Sequence, residues 1–593
     1  MQITGAELFV KALRQEGVDT LFAYPGGQAI HLFDALYGEK EIEVILPRHE
    51  QGLVHAADGY ARATGRTGVC LVTSGPGATN LVTGIATAHY DCVPLVCFTG
   101  QVPRALLGKY AFQEVDIADI TKSICKWSVT VKRREELGAI ISKAFYLANS
   151  GRPGVVVVDL PKDIQQALGS DAYSVTGREE KEKPEDTCRL EKQLEEAAKK
   201  LKAAKRPLFL LGGGINIARA NRKMVQLAEK LKMPVVTTIM GKGAVPTDHP
   251  LYVGNLGIHG SYAANHAVSE CDLLFAIGVR FNDRITGKVS EFAKQAQLIH
   301  VDIDSQVISR NVPADSAIVA DAGVAVGRLL SFAEPLNTEV WLKRIHTWKC
   351  RYLLGLPQED NTVTPQKILQ AVNTLFENAV ITTDVGKNKL WATQFLEITP
   401  SKRLLTSGGL GTMGYGLPAA IGARLGCPDR EVIAICGDGG MQMNSQELAT
   451  AVVYELPVII CIMNNGYLGN VRQWQEMFFE RHYASTCLHW RRSCPQTCNT
   501  PKADCPSYVP DFVKLAESYG AAGIRVKYAD EISRAFLAAK KEKKRPTVIE
   551  FMIGREENVL PIVPPGGALD CMILPNPIEK GDCAENVLFT DKG

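Results

Sequence analysis

Two short apolar runs in the last third of the chain end in polar turns of different chemistry: Glu431 to Cys436 runs into Gly437-Asp438-Gly439-Gly440, and Pro457 to Met463 into Asn464-Asn465. Runs of this length bounded by glycine and asparagine read as buried strands, and Met441 to Glu455 between them reads as a helix. The stretch therefore predicts a strand–helix–strand unit of a parallel sheet, where polar groups collect at the strand ends. Asp438 would leave the first strand as an anionic oxygen ligand and Asn465 the second as a neutral one. The pair carries too little charge to satisfy Mg²⁺, so phosphate oxygens must complete the shell. The glycines let backbone N–H groups approach those phosphates, and the positive helix N-terminus faces the same anion.

The same alternation of short β-branched runs and helical periodicity extends over most of the 593 residues, a length that suggests three or four domains. Strands are expected at Glu43 to Leu46, Gly68 to Thr73, Pro94 to Thr99 and Val155 to Asp159. A charged stretch from Gln165 to Cys188 reads as a linker. A second set lies at Pro207 to Leu211, Val235 to Thr238, Leu273 to Ile277 and Leu298 to Ile303. The fold class is thus α/β, with doubly wound parallel sheets: a first unit over 1–165, a central one over 190–335 and a third over 363–554. The first and third have similar size and pattern without a residue-level repeat. Residues 555–593, rich in Pro and Gly, read as a tail, a lid or an arm.

Composition narrows the partners. Hydrophobic residues make up 46% and charged residues 22%, with a formal net charge of +2, and no basic tract marks a nucleic-acid binder. Thr4 is expected to cap an amphipathic helix from Ala6 to Glu16 without the features of a secretory signal, and no run reaches the ~20 apolar residues of a membrane span. Cys70, Cys97, Cys436 and Cys461, four of sixteen cysteines, sit singly inside apolar runs. That usage fits small buried hydrophobes in a reducing cytoplasm.

The order GDG, helix, strand, NN resembles the thiamine diphosphate (ThDP) binding motif, and other segments extend the resemblance. In ThDP enzymes a glutamate in an Arg-His-Glu setting acts on the cofactor's aminopyrimidine; Glu50 of Arg48-His49-Glu50 matches it. Thr73 to Asn80 is similar to the pyrimidine-side loop, with Pro76 and Asn80 as contacts. Val385-Gly386-Lys387-Asn388-Lys389 matches the second diphosphate loop in part, where the family commonly carries Gln-His-Gln. Gly408 to Gly414, with Gly411 and Met413, is similar to the loop whose large apolar side chain bends the cofactor. The resemblance implies a metal site of Asp438, Asn465 and Tyr467, with Gly437, Gly439 and Gly440 on the diphosphate.

Six further motifs, in family order, narrow this to the catalytic subunit of the acetolactate synthase (acetohydroxyacid synthase) family: Ala23 to Gly27, Ala111 to Glu114, Gly151 to Gly154, Arg280 to Arg284, Val471 to Gln475 and Val563 to Leu569. This resemblance covers nearly the whole chain. It implies FAD in the central unit, contacted by Arg152, Gly213, His259, Arg280, Arg284, Asp302 and Asp321; Asn282 stands where the family has aspartate. The implied reaction decarboxylates pyruvate and joins the remainder to pyruvate or 2-ketobutyrate, in branched-chain amino acid biosynthesis. Gly27 and Gln113 would line the reacting carbonyls, Lys242 would border the site, and Trp474 would shape the acceptor pocket. The family builds its sites between subunits, so a homodimer or homotetramer is implied, with a small regulatory subunit common among its members. Glyoxylate carboligase and pyruvate oxidase, other FAD-containing ThDP enzymes, remain as rivals, as does a non-catalytic relative. Glu50 argues against the first, and the Arg-Phe-Asn-Asp-Arg and Gln-Trp-Gln segments against the second.

One stretch lies outside the family pattern. Between Tyr483 and Pro510 about twenty inserted residues carry Cys487, Cys494, Cys498 and Cys505 in a C-x6-C-x3-C-x6-C spacing. Three readings stand open: a Zn²⁺ site or iron–sulfur cluster, a loop of thiols, or a redox-switched disulfide pair.

Overall fold

The computed structural model describes residues 2–173, 184–352, 354, 360–498 and 505–575. Among them lie three six-stranded sheets whose paired strands all run parallel, and a two-stranded antiparallel ribbon. The chain divides into two compact units. One comprises Met1–Lys181, Asp360–Ala392 and Ser401–Glu557; the other comprises Glu182–Glu359, Thr393–Pro400 and Asn558–Gly593.

The first unit holds two of the sheets, and they share one topology. In space the N-terminal sheet runs Glu43–Ile45, Thr20–Ala23, Gly68–Val72, Leu95–Gln101, Val155–Pro161, Trp127–Thr130. The C-terminal sheet runs Arg403–Thr406, Val380–Thr383, Val432–Gly437, Val458–Asn464, Thr547–Met552, Ala522–Val526. Both follow the order 2-1-3-4-6-5, so each has a switch point between its first and third strands, where open α/β sheets bind ligands. The similarity expected between first and third parts is one of topology. Val69 to Val72 and Val432 to Cys436 are fully buried, as strands covered on both faces must be.

Helix Glu50–Thr64 crosses helix Gly416–Gly426 closely because both carry glycine at the crossing. A side-chain carbon at Gly59 would lie 2.1 Å from the Ala419 carbonyl oxygen, and one at Gly422 would lie 1.7 Å from that of Ala56. The crossing holds the Glu50 helix against the C-terminal sheet's own helix.

The second unit orders its strands Tyr252–Asn255, Val235–Thr237, Pro207–Leu211, Leu273–Ile277, Gln297–Asp302, Ser316–Val319, the 3-2-1-4-5-6 order of dinucleotide-binding sheets.

Three local expectations are corrected. The helix expected over Met441 to Glu455 is two, Asp438–Met443 and Glu447–Val453. Asn444 breaks it, since its side chain turns to donate to the Gly414 carbonyl. The expected linker is partly structured: helix Lys162–Gln166 leads into strand Leu168–Ser170, which pairs with Gln2–Thr4. Its residues 174–183 lie outside the described ones. The expected tail or lid packs down as far as residue 575: Val563 and Leu569 are buried in the second unit's core, and Ile562 bridges Ile573. Residues 576–593 lie outside the described ones. Thr4 caps the first helix, Gly5–Gln15, in a reciprocal capping box with Glu7, as expected.

Candidate active site

Strand Val432–Gly437 hands directly to helix Asp438–Met443, so Asp438 stands at the helix's first position. Its carboxylate is buried and fixed by the N–H groups of Gly439 at 2.8 Å and Gly466 at 2.7 Å. Burial pushes its pKa up to about 7, the backbone N–H donors opposing that rise. The Asn465 side-chain oxygen accepts the Tyr467 N–H at 3.1 Å, and Tyr467 is itself buried beneath the Arg472 guanidinium. Asp438, Asn465 and Tyr467 therefore meet around one turn.

Asp384, which sequence reasoning missed, gathers the remaining diphosphate-side loops. Fully buried at the end of strand Val380–Thr383, its carboxylate accepts N–H groups from Val385, Gly414 and Gly416 and lies against Gly440. It thus ties the loop of Val385 and Gly386 and the loop of Gly411 and Met413 to the Gly437–Gly440 turn. The only signal was a lone acidic residue closing an apolar run. Met413 reaches Gly439, half-buried. Asn388 spends its amide on the carbonyls of Asp384 and Ile435, while its oxygen faces Gly437. Lys387 is buried, donates to the Glu557 carbonyl at 2.6 Å, and is lowered to about 8 by burial. Lys389 donates to the Ser407 carbonyl.

The N-terminal sheet presents its groups at the corresponding switch point. Glu50 opens its helix after the cap His49, and Asn80 donates to the Glu50 carboxylate at 2.9 Å. Gly77 lies against the same carboxylate. Gln113, with a left-handed φ of 61°, packs on Gly75, beside Pro76; Gly27 is exposed at the end of the neighbouring strand. Glu447, also missed, anchors this corner: its buried carboxylate accepts the Arg48 N–H with both oxygens at 3.1 Å and the Thr450 hydroxyl at 2.6 Å. A second buried network holds the Met413 loop. Arg62 pairs with Asp58 at 2.6 Å and Asp91 at 2.9 Å, and Asp91 accepts the Gly408 and Gly409 N–H groups.

In the second unit, the FAD candidates occupy strand ends. Gly213 opens a helix after strand Pro207–Leu211, and Asp302 closes its strand and accepts the Asp304 N–H. Asp321 caps helix Ala322–Phe332 through one carboxylate oxygen. Arg280 and Arg284 flank Asn282, whose side-chain oxygen is buried with no hydrogen-bond partner among the described residues. The His259 carbonyl accepts from Gln394. Lys242 is buried, donates to the Thr393 carbonyl at 2.8 Å, and is lowered to about 8 by burial. Arg152 belongs to the first unit, where it donates to the Cys92 sulfur at 3.0 Å. Trp474 lies half-buried on helix Gly469–Phe478 of the first unit.

Among the described residues, which include Cys487, Cys494, Cys498 and Cys505, no three His, Cys, Asp or Glu side chains converge to hold a metal ion. The segment folds as irregular turns whose side chains bond backbone carbonyls: His489 pairs with Pro506, and Arg491 with Ser507.

The chain is similar to known proteins over nearly its whole length. Three family models match: the N-terminal TPP binding domain of thiamine pyrophosphate enzymes over residues 3–120, their central domain over 194–329 and their C-terminal TPP binding domain over 384–551. The acetolactate synthase large subunit of Parasynechococcus marenigrum is 45% identical over 578 residues, covering 95% of this chain and 90% of its own. That of Cyanidium caldarium is 44% identical, covering 95% of each chain. The Haemophilus influenzae large subunit is 39% identical over 587 residues, covering 98% of this chain and 99% of its own. With a model matching part of each of the three sheets and these relatives matching nearly end to end, the chain belongs to the acetolactate synthase large-subunit family of thiamine pyrophosphate enzymes.

Proposed function

We propose that the chain catalyses the decarboxylating condensation of pyruvate with a second 2-keto acid, forming 2-acetolactate from pyruvate or 2-aceto-2-hydroxybutyrate from 2-ketobutyrate, in branched-chain amino acid biosynthesis. The observation that carries this reading is the placement of two complementary half-sites at the same switch point of two sheets with one topology. One half is Glu50 held by Asn80; the other is Asp438 fixed beside Asn465 and Tyr467.

The residues fit ThDP and Mg²⁺. Asp438 is a buried carboxylate whose high pKa reflects a site that favours neutralisation, which a divalent cation supplies. Asp438, Asn465 and Tyr467 would hold the metal, and the turn at Gly437, Gly439 and Gly440 the diphosphate. When bound, ThDP supplies a nucleophilic carbon and an electron sink for the pair released with CO₂. Glu50 would hold a proton at its carboxylate for exchange with the aminopyrimidine, Asn80 orients that carboxylate, and Glu447 fixes the start of its helix through the Arg48 N–H. Asp384 and Asp91 hold the loops on either side of Met413 so that its side chain can constrain the cofactor. Gln113 and Gly27 would line the reacting carbonyls, and Trp474 would shape the acceptor pocket.

FAD is the second proposed cofactor, held in the second unit by Gly213, His259, Arg280, Arg284, Asp302 and Asp321. The dinucleotide-type strand order and the orphaned Asn282 oxygen support it. A homodimer is the minimum assembly: Tyr110 and Phe112, beside Gln113, are almost fully exposed on the single chain. The relatives' name, large subunit, supports a separate small regulatory subunit. Buried single cysteines support a cytoplasmic setting. Among the described residues no helix is long and apolar enough to cross a membrane.

The test is to incubate the purified chain with pyruvate, ThDP, Mg²⁺ and FAD. Acetolactate formation without net flavin reduction supports the proposal. Flavin reduction coupled to pyruvate consumption, or no reaction, overturns it.

A further inference from the structure

The inserted segment is built onto the metal turn. Thr486 to Leu488 run antiparallel to Gly466 to Leu468: the Leu468 N–H donates to the Thr486 carbonyl and the Leu488 N–H to the Gly466 carbonyl, both at 2.9 Å, with Tyr467 and Cys487 bridged between them. The His489 ring abuts Gly466 through its Nε2 end, where a side-chain carbon would stand 1.6 Å from Nε2, so only glycine admits it. From the other side Tyr508 packs edge-on against His489, and its hydroxyl accepts from Gln442 on the helix that Asp438 opens. The segment therefore grips both elements that carry the proposed metal ligands.

The two limbs of the insertion are stitched together as well. The His489 ring bonds the Pro506 carbonyl at 3.0 Å, and the Arg491 guanidinium donates to the carbonyls of His489, Trp490 and Ser507. These bonds draw Cys505 toward the limb that carries Cys487. Cys498 and Cys505 stand near enough to act on the charge of Cys487: burial pushes its thiol up most, both sulfurs raise it further, and the His489 N–H and Arg472 oppose the rise. The Arg491 N–H approaches the Cys494 sulfur at 3.4 Å. All four cysteines are thiols, Cys498 exposed and the others half-buried.

We propose that Cys487 forms a reversible disulfide with Cys498 or Cys505, and that this bond weakens the hold of the Gly466–Leu468 turn on Mg²⁺ and ThDP. The oxidant is a low-molecular-weight disulfide. The thiolate of Cys498 or Cys505 attacks one of its sulfurs and expels one small thiolate; the Cys487 thiolate then attacks the mixed disulfide and expels the second. Two electrons pass from the cysteine pair to the small disulfide, and the two thiol protons leave with the two released thiols. Drawing the Cys487 sulfur across to its partner strains the bridge to Tyr467, so cofactor binding and thiol redox state become reciprocally linked.

The coupling rests on the ThDP and Mg²⁺ reading above; the disulfide does not. The full chain is equilibrated with graded ratios of reduced and oxidised glutathione, trapped by alkylation and mapped by mass spectrometry, and ThDP binding with Mg²⁺ is measured by calorimetry on the same samples. The expected result is a disulfide joining Cys487 to Cys498 or Cys505, and an affinity about fivefold or more weaker when oxidised, restored by dithiothreitol. Cys487→Ser should abolish both responses, while Cys571→Ser, an exposed cysteine of the other unit, should keep both. Absence of a Cys487 disulfide, or its formation with unchanged binding, overturns the proposal. A reduced chain that binds no ThDP overturns the functional reading and the coupling with it, leaving the mapped disulfide as a separate result.

Discussion

Glu50 and Asp438 carry different parts of the proposed chemistry, so substitutions should separate them. Replacing Glu50 by Gln keeps the shape beside Asn80 and removes the basic oxygen. Proton exchange at the reactive carbon of bound ThDP, followed by quenched-flow NMR, should slow by ~10²–10⁴-fold while ThDP and Mg²⁺ still bind. Equal exchange in parent and variant would remove Glu50 from its role. Asp438 sets a pH dependence. Its folded pKa of about 7 lies above the ordinary 3.8, so the unfolded chain releases this proton near pH 4 while the folded apoprotein keeps it to about 7. The stability contribution is therefore complete below about pH 4 and is lost as pH rises through about 7. Mg²⁺ needs the carboxylate, so its apparent affinity should climb over the same window and level off above it. Titration calorimetry across pH 5 to 9 checks this, and Asp438→Asn should flatten the slope.

At the scale of elements, the Met413 loop owes its position to groups far away in sequence. Asp91 accepts the Gly408 and Gly409 N–H groups, 317 and 318 residues on, and is itself held by Arg62. Asp91→Ala leaves those N–H groups and one face of Arg62 without their partner, at about 1–3 kcal/mol for each buried group exposed in this way. Urea denaturation should register the loss, and hydrogen exchange should accelerate selectively at Gly408 to Met413. Uniform exchange across the chain would assign Asp91 a general structural role instead. The helix crossing at Gly59 and Gly422 works at the same scale: the Glu50 helix can lie against the C-terminal sheet only because two backbones touch there.

At the scale of the whole molecule, assembly is the open dimension, and the exposed Tyr110 and Phe112 are its candidate contacts. Sedimentation at micromolar concentration should find at least a dimer, and Phe112→Glu should shift it toward monomer with loss of turnover; an unaltered dimer would place the interface elsewhere. Strand-end motifs were legible in the amino-acid order because a parallel strand buried on both faces must be an unbroken apolar run, and whatever polar residue ends it stands at the functional edge of the sheet. Asp438, Asn465 and Glu50 were singled out that way, as were the α/β class and ten of the twenty strands among the described residues. The break at Asn444 was not, since it depends on a carbonyl thirty residues earlier in the chain. Nor were Asp384, Glu447 and the Arg62–Asp91 pair. Each is an isolated charged residue whose meaning lies in backbone N–H groups or side chains brought to it by folding, across as many as 399 positions for Glu447 and Arg48. The cysteine spacing suggested a metal, yet spacing along a chain does not set the directions of side chains. Only the tertiary structure decided that Cys487 is bridged to Tyr467 and that the segment is stitched onto the Gly466–Leu468 turn, because His489, buried against Gly466, holds it there.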